Sequence, residues 1–179
     1  FGTDGIITYA TFEDLLIDLG TGADTFTIES THAAPTTVST GPGNDIVTAN
    51  GNSATLTING DANDDTIDLN GTGAEVTINA GADTDTVNIN GVSHTLVVNG
   101  QAGTDTINVD RTAATSDSTL NGDAGDDVIN VQAMDGVVGI NGGADNDTVN
   151  VSSVAPTLST GPRTVPTGTI DNINAKLTV

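Results

Sequence analysis

Cysteine is absent from the 179 residues, which removes disulfide staples and thiol chemistry from any account of this chain. Aromatic side chains are nearly absent as well: Phe1, Tyr9, Phe12 and Phe26 are the full set. A core built from this sequence is therefore thin and aliphatic. Fixed cations are scarcer still, with only Arg111, Arg163 and Lys176 set against 24 Asp and Glu, a net charge of −21. Phosphate backbones and anionic lipid surfaces are bound through Lys and Arg, so nucleic acid and acidic membranes are poor partners. No apolar run reaches membrane-spanning length and no signal-peptide pattern is visible. Membrane insertion is accordingly not expected. Because it opens on Phe1 rather than Met, the chain is expected to be a fragment or a processed piece.

Acidity of this degree suits a disordered chain, but the aliphatics are too regular for one. Asp24, Asp45, Asp65, Asp85, Asp105, Asp127 and Asp147 recur at steps of 21, 20, 20, 20, 22 and 20 residues. A fixed period of this length marks one structural unit stacked many times. Two residues before each Asp comes Gly22, Gly43, Asn63, Asp83, Gly103, Gly125 or Asp145, the residue types that most readily accept positive φ. A tight left-handed turn is predicted there. Two and four residues after each Asp come Phe26/Ile28, Val47/Ala49, Ile67/Leu69, Val87/Ile89, Ile107/Val109, Ile129/Val131 and Val149/Val151. This period-2 pattern predicts the inward face of a first short strand. Between them Asp68, Asn88, Asn108, Asn130 and Asn150 face out.

A second strand is predicted from Leu56/Ile58, Val76/Ile78, Leu96/Val98 and Val138/Ile140. The segments NGNSA (50–54), NGTGA (70–74) and NGVSH (90–94) join first strand to second without an Asp. Each unit thus reads strand, neutral corner, strand, acidic Gly-rich corner. The predicted fold is an all-β, right-handed parallel β-solenoid of about seven to eight 20-residue coils, two strands to a coil, since parallel crossovers are right-handed in nearly all cases. Stacking places the seven aspartates in one column at the strand spacing of about 4.8 Å. Two bare unit charges about 5 Å apart repel by roughly 3 kcal/mol at an effective dielectric near 20. The column calls for a cation.

The corners GQAGTDTI (100–107), GDAGDDVI (122–129) and GGADNDTV (142–149) resemble the G-G-x-G-x-D-x-U-x nonapeptide of RTX, or haemolysin-type, calcium-binding repeats. The resemblance implies a β-roll whose motif Asp and corner carbonyls share Ca²⁺ between adjacent turns. Hard oxygen donors on irregular loops also suit Ca²⁺ better than Mg²⁺. Carried over by position, the motif Asp falls on Asp24, Asp45, Asp65, Asp85, Asp105, Asp127 and Asp147. Auxiliary oxygens are expected from Asn44, Asp61, Asp64, Asp83, Asp123, Asp126 and Asp145. The family's motif recurs every nine residues and lines both edges, whereas here it occurs once per coil. About six ions in a single row are therefore expected, as in single-edge calcium solenoids of long bacterial adhesins. Asn63, Asp83 and Asp145 also stand where the family has its second motif glycine.

Residues 17–158 are read as the calcium-binding solenoid, with 1–16 as an N-terminal edge or junction and 159–179 as a junction to a following module. STGPRTV (159–165) resembles STGPGND (39–45), but Arg163 and Val165 replace Gly43 and Asp45. This suggests an end to the ion row, with the Arg163 guanidinium near Asp147. The resemblance implies a non-catalytic structural module of an extracellular, bacterial surface fibre or adhesin, joined end to end to neighbouring copies. Two other readings stand beside it: an ice-binding face built on outward Thr/Asn rows such as Thr86/Asn88 and Thr106/Asn108, and a calcium-dependent accessory module of a secreted polysaccharide-active enzyme. An enzyme is not expected, because His32 and His94 are isolated and no nucleophile or paired acid–base arrangement is evident.

Overall fold

Short period-2 segments broken by Gly and Asn become fourteen strands in a computed structural model that describes residues 12–110, 112, 117–132 and 136–151. Sheet I holds Leu15–Asp18, Thr36–Ser39, Leu56–Asn59, Val76–Ala82, Leu96–Ala102, Asp117–Ala124 and Val137–Ala144. Sheet II holds the alternate strands, Thr25–Ile28, Ile46–Ala49, Thr66–Leu69, Thr86–Ile89, Thr106–Val109, Val128–Val131 and Thr148–Val151. Successive strands of each sheet pair in parallel. The chain therefore winds as a β-solenoid, alternating between the two sheets once per coil. The expected junction at 159–179, Arg163 and the 158/159 boundary lie outside the described residues, as do Arg111, Lys176 and residues 1–11.

Register follows from the repeat. Ile67 stacks on Val87, Val87 on Ile107 and Ile107 on Ile129 in sheet II. Leu56, Val76 and Leu96 stack likewise in sheet I. These columns meet between the sheets, where Ile58, Leu69, Ile78, Leu96, Ile107 and Leu120 are fully buried. Polar Thr36 and Ser118 occupy two of the inward places in sheet I. The Asp68, Asn88, Asn108 and Asn130 side chains take the outward places expected of them and are half-buried by their neighbours.

Stacking also sets the outward asparagines against one another. On sheet I, Asn59 Nδ2 donates to Ser39 Oγ, and Asn79, Asn99 and Asn121 each donate to the Oδ1 of the preceding Asn at 2.8 Å. On sheet II, Asn88 donates to Asp68 Oδ1 and the chain continues through Asn108, Asn130 and Asn150. A third column runs down the neutral edge, from Asn90 to Asn70 to Asn50 and on to Glu29 Oε2. All three columns donate in the N-terminal direction, ending on Ser39, Asp68 and Glu29 respectively. Inside the neutral edge, Asn52 is buried and fully used: Nδ2 donates to the Ala54 and Glu75 carbonyls, while Oδ1 accepts the Gly73 and Ala74 N–H groups.

Candidate metal centre along the acidic edge

The two edges differ in how strictly their lengths are held. Across the acidic corner the flanking inward residues Val38/Val47, Ile58/Ile67, Ile78/Val87, Val98/Ile107, Leu120/Ile129 and Ile140/Val149 are always nine positions apart. The register shifts of 21 and 22 residues are absorbed elsewhere, between Ile28 and Thr36 and between Val109 and Ser118. Insertions are thus confined to the neutral corner. The acidic corner repeats without change.

Its backbone explains that constancy. The residue two before each Asp has positive φ in all seven corners: Gly22, Gly43, Asn63, Asp83, Gly103, Gly125 and Asp145, as the sequence predicted. So does the residue four before, which the sequence did not reveal: Gly20, Gly41, Asp61, Gly81, Gln101, Asp123 and Gly143. Glycine at four of these seven was a partial signal, obscured by Gln101. The alternation brings each corner close to its neighbour's carbonyl groups. Gly103 sits at φ 145°, and a Cβ there would collide with the Asp83 carbonyl oxygen of the preceding coil. Gly103→Ala is expected to cost about 2–3 kcal/mol through strain and collision, read as a lowered urea midpoint. Gly91→Ala on the neutral edge, where the nearest atom is 3.8 Å away, should leave the midpoint almost unchanged.

The corner turns the motif aspartates inward. Asp45, Asp65, Asp85, Asp105 and Asp127 are no more than 3% exposed, while Asp24 and Asp147, at the two ends of the column, are partly exposed. From Asp45 onward each Oδ1 accepts the backbone N–H of the Asp one coil earlier. The distances are 2.6 Å from Asp24 to Asp45, 2.8 Å from Asp45 to Asp65 and 2.8 Å from Asp65 to Asp85. The column continues at 2.9 Å, 2.8 Å and 3.1 Å through Asp105, Asp127 and Asp147. One oxygen of each of these six carboxylates is therefore satisfied.

The other is not. Oδ2 of Asp24, Asp45, Asp65, Asp85, Asp105 and Asp127 is buried without a hydrogen-bond partner. In three coils it lies against a glycine: a Cβ on Gly60 or Gly100 would come within 2.6 Å of the Asp65 or Asp105 Oδ2, and one on Gly122 would strike the Asp127 Oδ2. Burial pushes the Asp65 and Asp105 carboxyls up to about 7 and Asp85 to about 6, from 3.8, against the lowering effect of the backbone N–H bond. Neighbouring carboxylates push the same way. Asp127 is raised for the same reasons. Among the described residues there is no Lys or Arg to answer them.

The seven auxiliary residues sit differently. Asp61 and Asp123 accept the Gly41 and Gln101 N–H groups, and Asp64 and Asp126 accept those of Thr84 and Asn146. Asp83 and Asp145 are exposed at positive-φ positions, and Asn44 is exposed. Together they form the outer, wet side of the corner. Among the described residues no three His, Cys, Asp or Glu side chains converge on one point. A cation on this edge would be held by one inward carboxylate from each coil together with corner carbonyls. Those donors are all hard oxygens, the chemistry of Ca²⁺ and not of Zn²⁺ or a thiolate-bound metal.

Fold and edge together define a parallel β-solenoid with one internally charged, geometrically constant edge. The chain matches no family model, no curated protein and no solved structure.

Proposed function

We propose that this chain is a non-catalytic structural module whose acidic edge takes up a row of Ca²⁺ ions, one between each pair of successive coils. The observation that carries the reading is the run of buried Oδ2 atoms without a hydrogen-bond partner, in a set of described residues that holds no Lys or Arg. A buried carboxylate without a partner is costly. Here the cost is repeated in every coil at a corner of invariant length, so it is a feature of the design and not a local flaw. Asp45, Asp65, Asp85, Asp105 and Asp127, with Asp24 and Asp147 at the ends, would supply the carboxylate oxygens, and corner carbonyls such as those of Asp83 and Gly103 the neutral ones. A bound divalent ion supplies the missing positive charge and ties each coil to the next.

Sites of roughly 10⁻⁴ M affinity, typical of extracellular calcium modules, would fill outside a cell and stay empty inside it. That fits a rigid spacer in a bacterial surface fibre, continued end to end by further copies. Role, location and partners rest on the resemblance to RTX repeats and on this ion chemistry. The ice-binding reading is weakened by the amide columns, because the outward asparagines spend their hydrogen bonds on one another. Equilibrium dialysis against calcium is the test: several ions per chain are expected, and a protein that stays calcium-free at millimolar concentration refutes the reading.

A further inference from the structure

The sequence holds a second feature that the acidic edge does not use: Asn followed by Gly, on the neutral edge at 50–51, 70–71 and 90–91, and on sheet I at 59–60, 99–100, 121–122 and 141–142. On sheet I the fold explains the glycine. A Cβ on Gly60, Gly100 or Gly122 would run into an inward Asp carboxylate and a neighbouring carbonyl. On the neutral edge it does not. Gly51, Gly71 and Gly91 lack positive φ, and a Cβ on them would meet nothing nearer than a carbonyl at 3.7, 3.4 and 3.8 Å. Any small residue would fit.

What glycine uniquely provides there is an unshielded backbone nitrogen next to an exposed asparagine. We propose that Asn50, Asn70 and Asn90 are sites of spontaneous deamidation, whatever ion occupies the opposite edge. The glycine nitrogen attacks the Asn Cγ, a C–N bond forms, the Cγ–Nδ2 bond breaks and ammonia leaves with the displaced proton. Water then opens the resulting succinimide to aspartate or isoaspartate. No oxidant, metal or enzyme is required. Intramolecular attack of this kind is governed by how freely the two atoms reach each other. On sheet I, Asn59 and Asn99 are held by donation and acceptance within their column and Asn121 by donation, and their glycines are buried, while Asn141 is exposed but its glycine lies within a strand. The edge asparagines are exposed, and their glycines lie outside the strands.

The edge column also sets an order. Asn90 donates to Asn70 at 2.7 Å, but the next residue in the column, Asp110, carries no amide to donate back. Asn90 is therefore the least restrained and reacts first. Conversion of Asn90 to a carboxylate removes the donor that holds Asn70 Oδ1, so Asn70 follows and then Asn50, which rests on Glu29. Each event adds one negative charge to the existing −21 and places it beside another.

The test is incubation of the full chain in calcium-containing buffer made with ¹⁸O-water, followed by peptide mapping, with circular dichroism confirming that the strands persist. Label should enter at Asn90, then Asn70, then Asn50, before it is found at Asn59, Asn99 or Asn121. Equal labelling of face and edge, or edge labelling no faster than at Asn79, which precedes Ala80, overturns the proposal. Gly91→Ala, which the backbone accommodates, should abolish the early label at Asn90 and delay that at Asn70. Unchanged labelling in that variant overturns it as well.

Discussion

Stripping divalent cations from this protein at pH 8 is expected to unfold the solenoid, and stripping them at pH 5 to leave it folded. The column carboxyls at Asp65, Asp85 and Asp105 are held near 7, 6 and 7 in the folded chain and return to about 3.8 when it unfolds. Between those values the folded state binds more protons than the unfolded one, so stability falls as pH rises. Below pH 4 both states are protonated and the burial is harmless; above pH 7 the folded state carries the bare charges. Each unit of pKa difference is about 1.4 kcal/mol, and several such groups reach the scale of a small domain's whole stability, about 5–15 kcal/mol. The groups are coupled along the column and titrate as a set. Calcium is expected to reverse the trend, because a bound ion would supply at pH 8 what protons supply at pH 5. Thermal melts after exhaustive dialysis, at both pH values and with calcium restored, check this. A cation-free protein that is equally stable at both, or more stable at pH 8, contradicts the account of the column.

Asp105→Asn should change sign with calcium. The amide keeps an Oδ1 for the Asp85 N–H and replaces the orphaned Oδ2 with a donor, at a place that the Gly122 carbonyl also borders. In cation-free buffer at pH 8 the loss of one buried charge should stabilise the fold by about 1–3 kcal/mol. In millimolar calcium the same substitution should destabilise it by a similar amount and lower the number of bound ions, since Asp105 stands between two coils. Asp68→Asn is the control: it keeps the acceptor used by Asn88 on the open face and should shift neither measurement. Urea titrations with and without calcium decide it. A variant stabilised, or destabilised, under both conditions would mean that Asp105 is only a backbone acceptor.

The repeat, the inward columns and the positive φ two residues before each Asp were legible because they depend on residue type at a fixed spacing. Gly22, Gly43, Gly103 and Gly125 announce their conformation, and Ile67, Val87, Ile107 and Ile129 announce their face. The second left-handed position was harder, since Gln101 and Asp123 stand there beside glycines and only the packing of adjacent coils forces them. The division of labour within each carboxylate could not be read at all. Which oxygen of Asp105 meets an N–H and which is stranded depends on how one coil sits over the next. The same holds for the outward asparagines. Asn79 and Asn99 look like ordinary strand-surface residues until the parallel register sets them amide to amide. Asn52 likewise carried no mark of its four bonds.

Amide columns that donate toward the N-terminal coil and an aspartate column whose N–H groups point the opposite way give every turn two unlike sides. A turn placed upside down would set oxygen against oxygen on the faces and leave the Asp N–H groups facing no acceptor. The winding can therefore be extended in one sense only, head always meeting tail, and a symmetric back-to-back join between two such stacks is chemically mismatched from the outset.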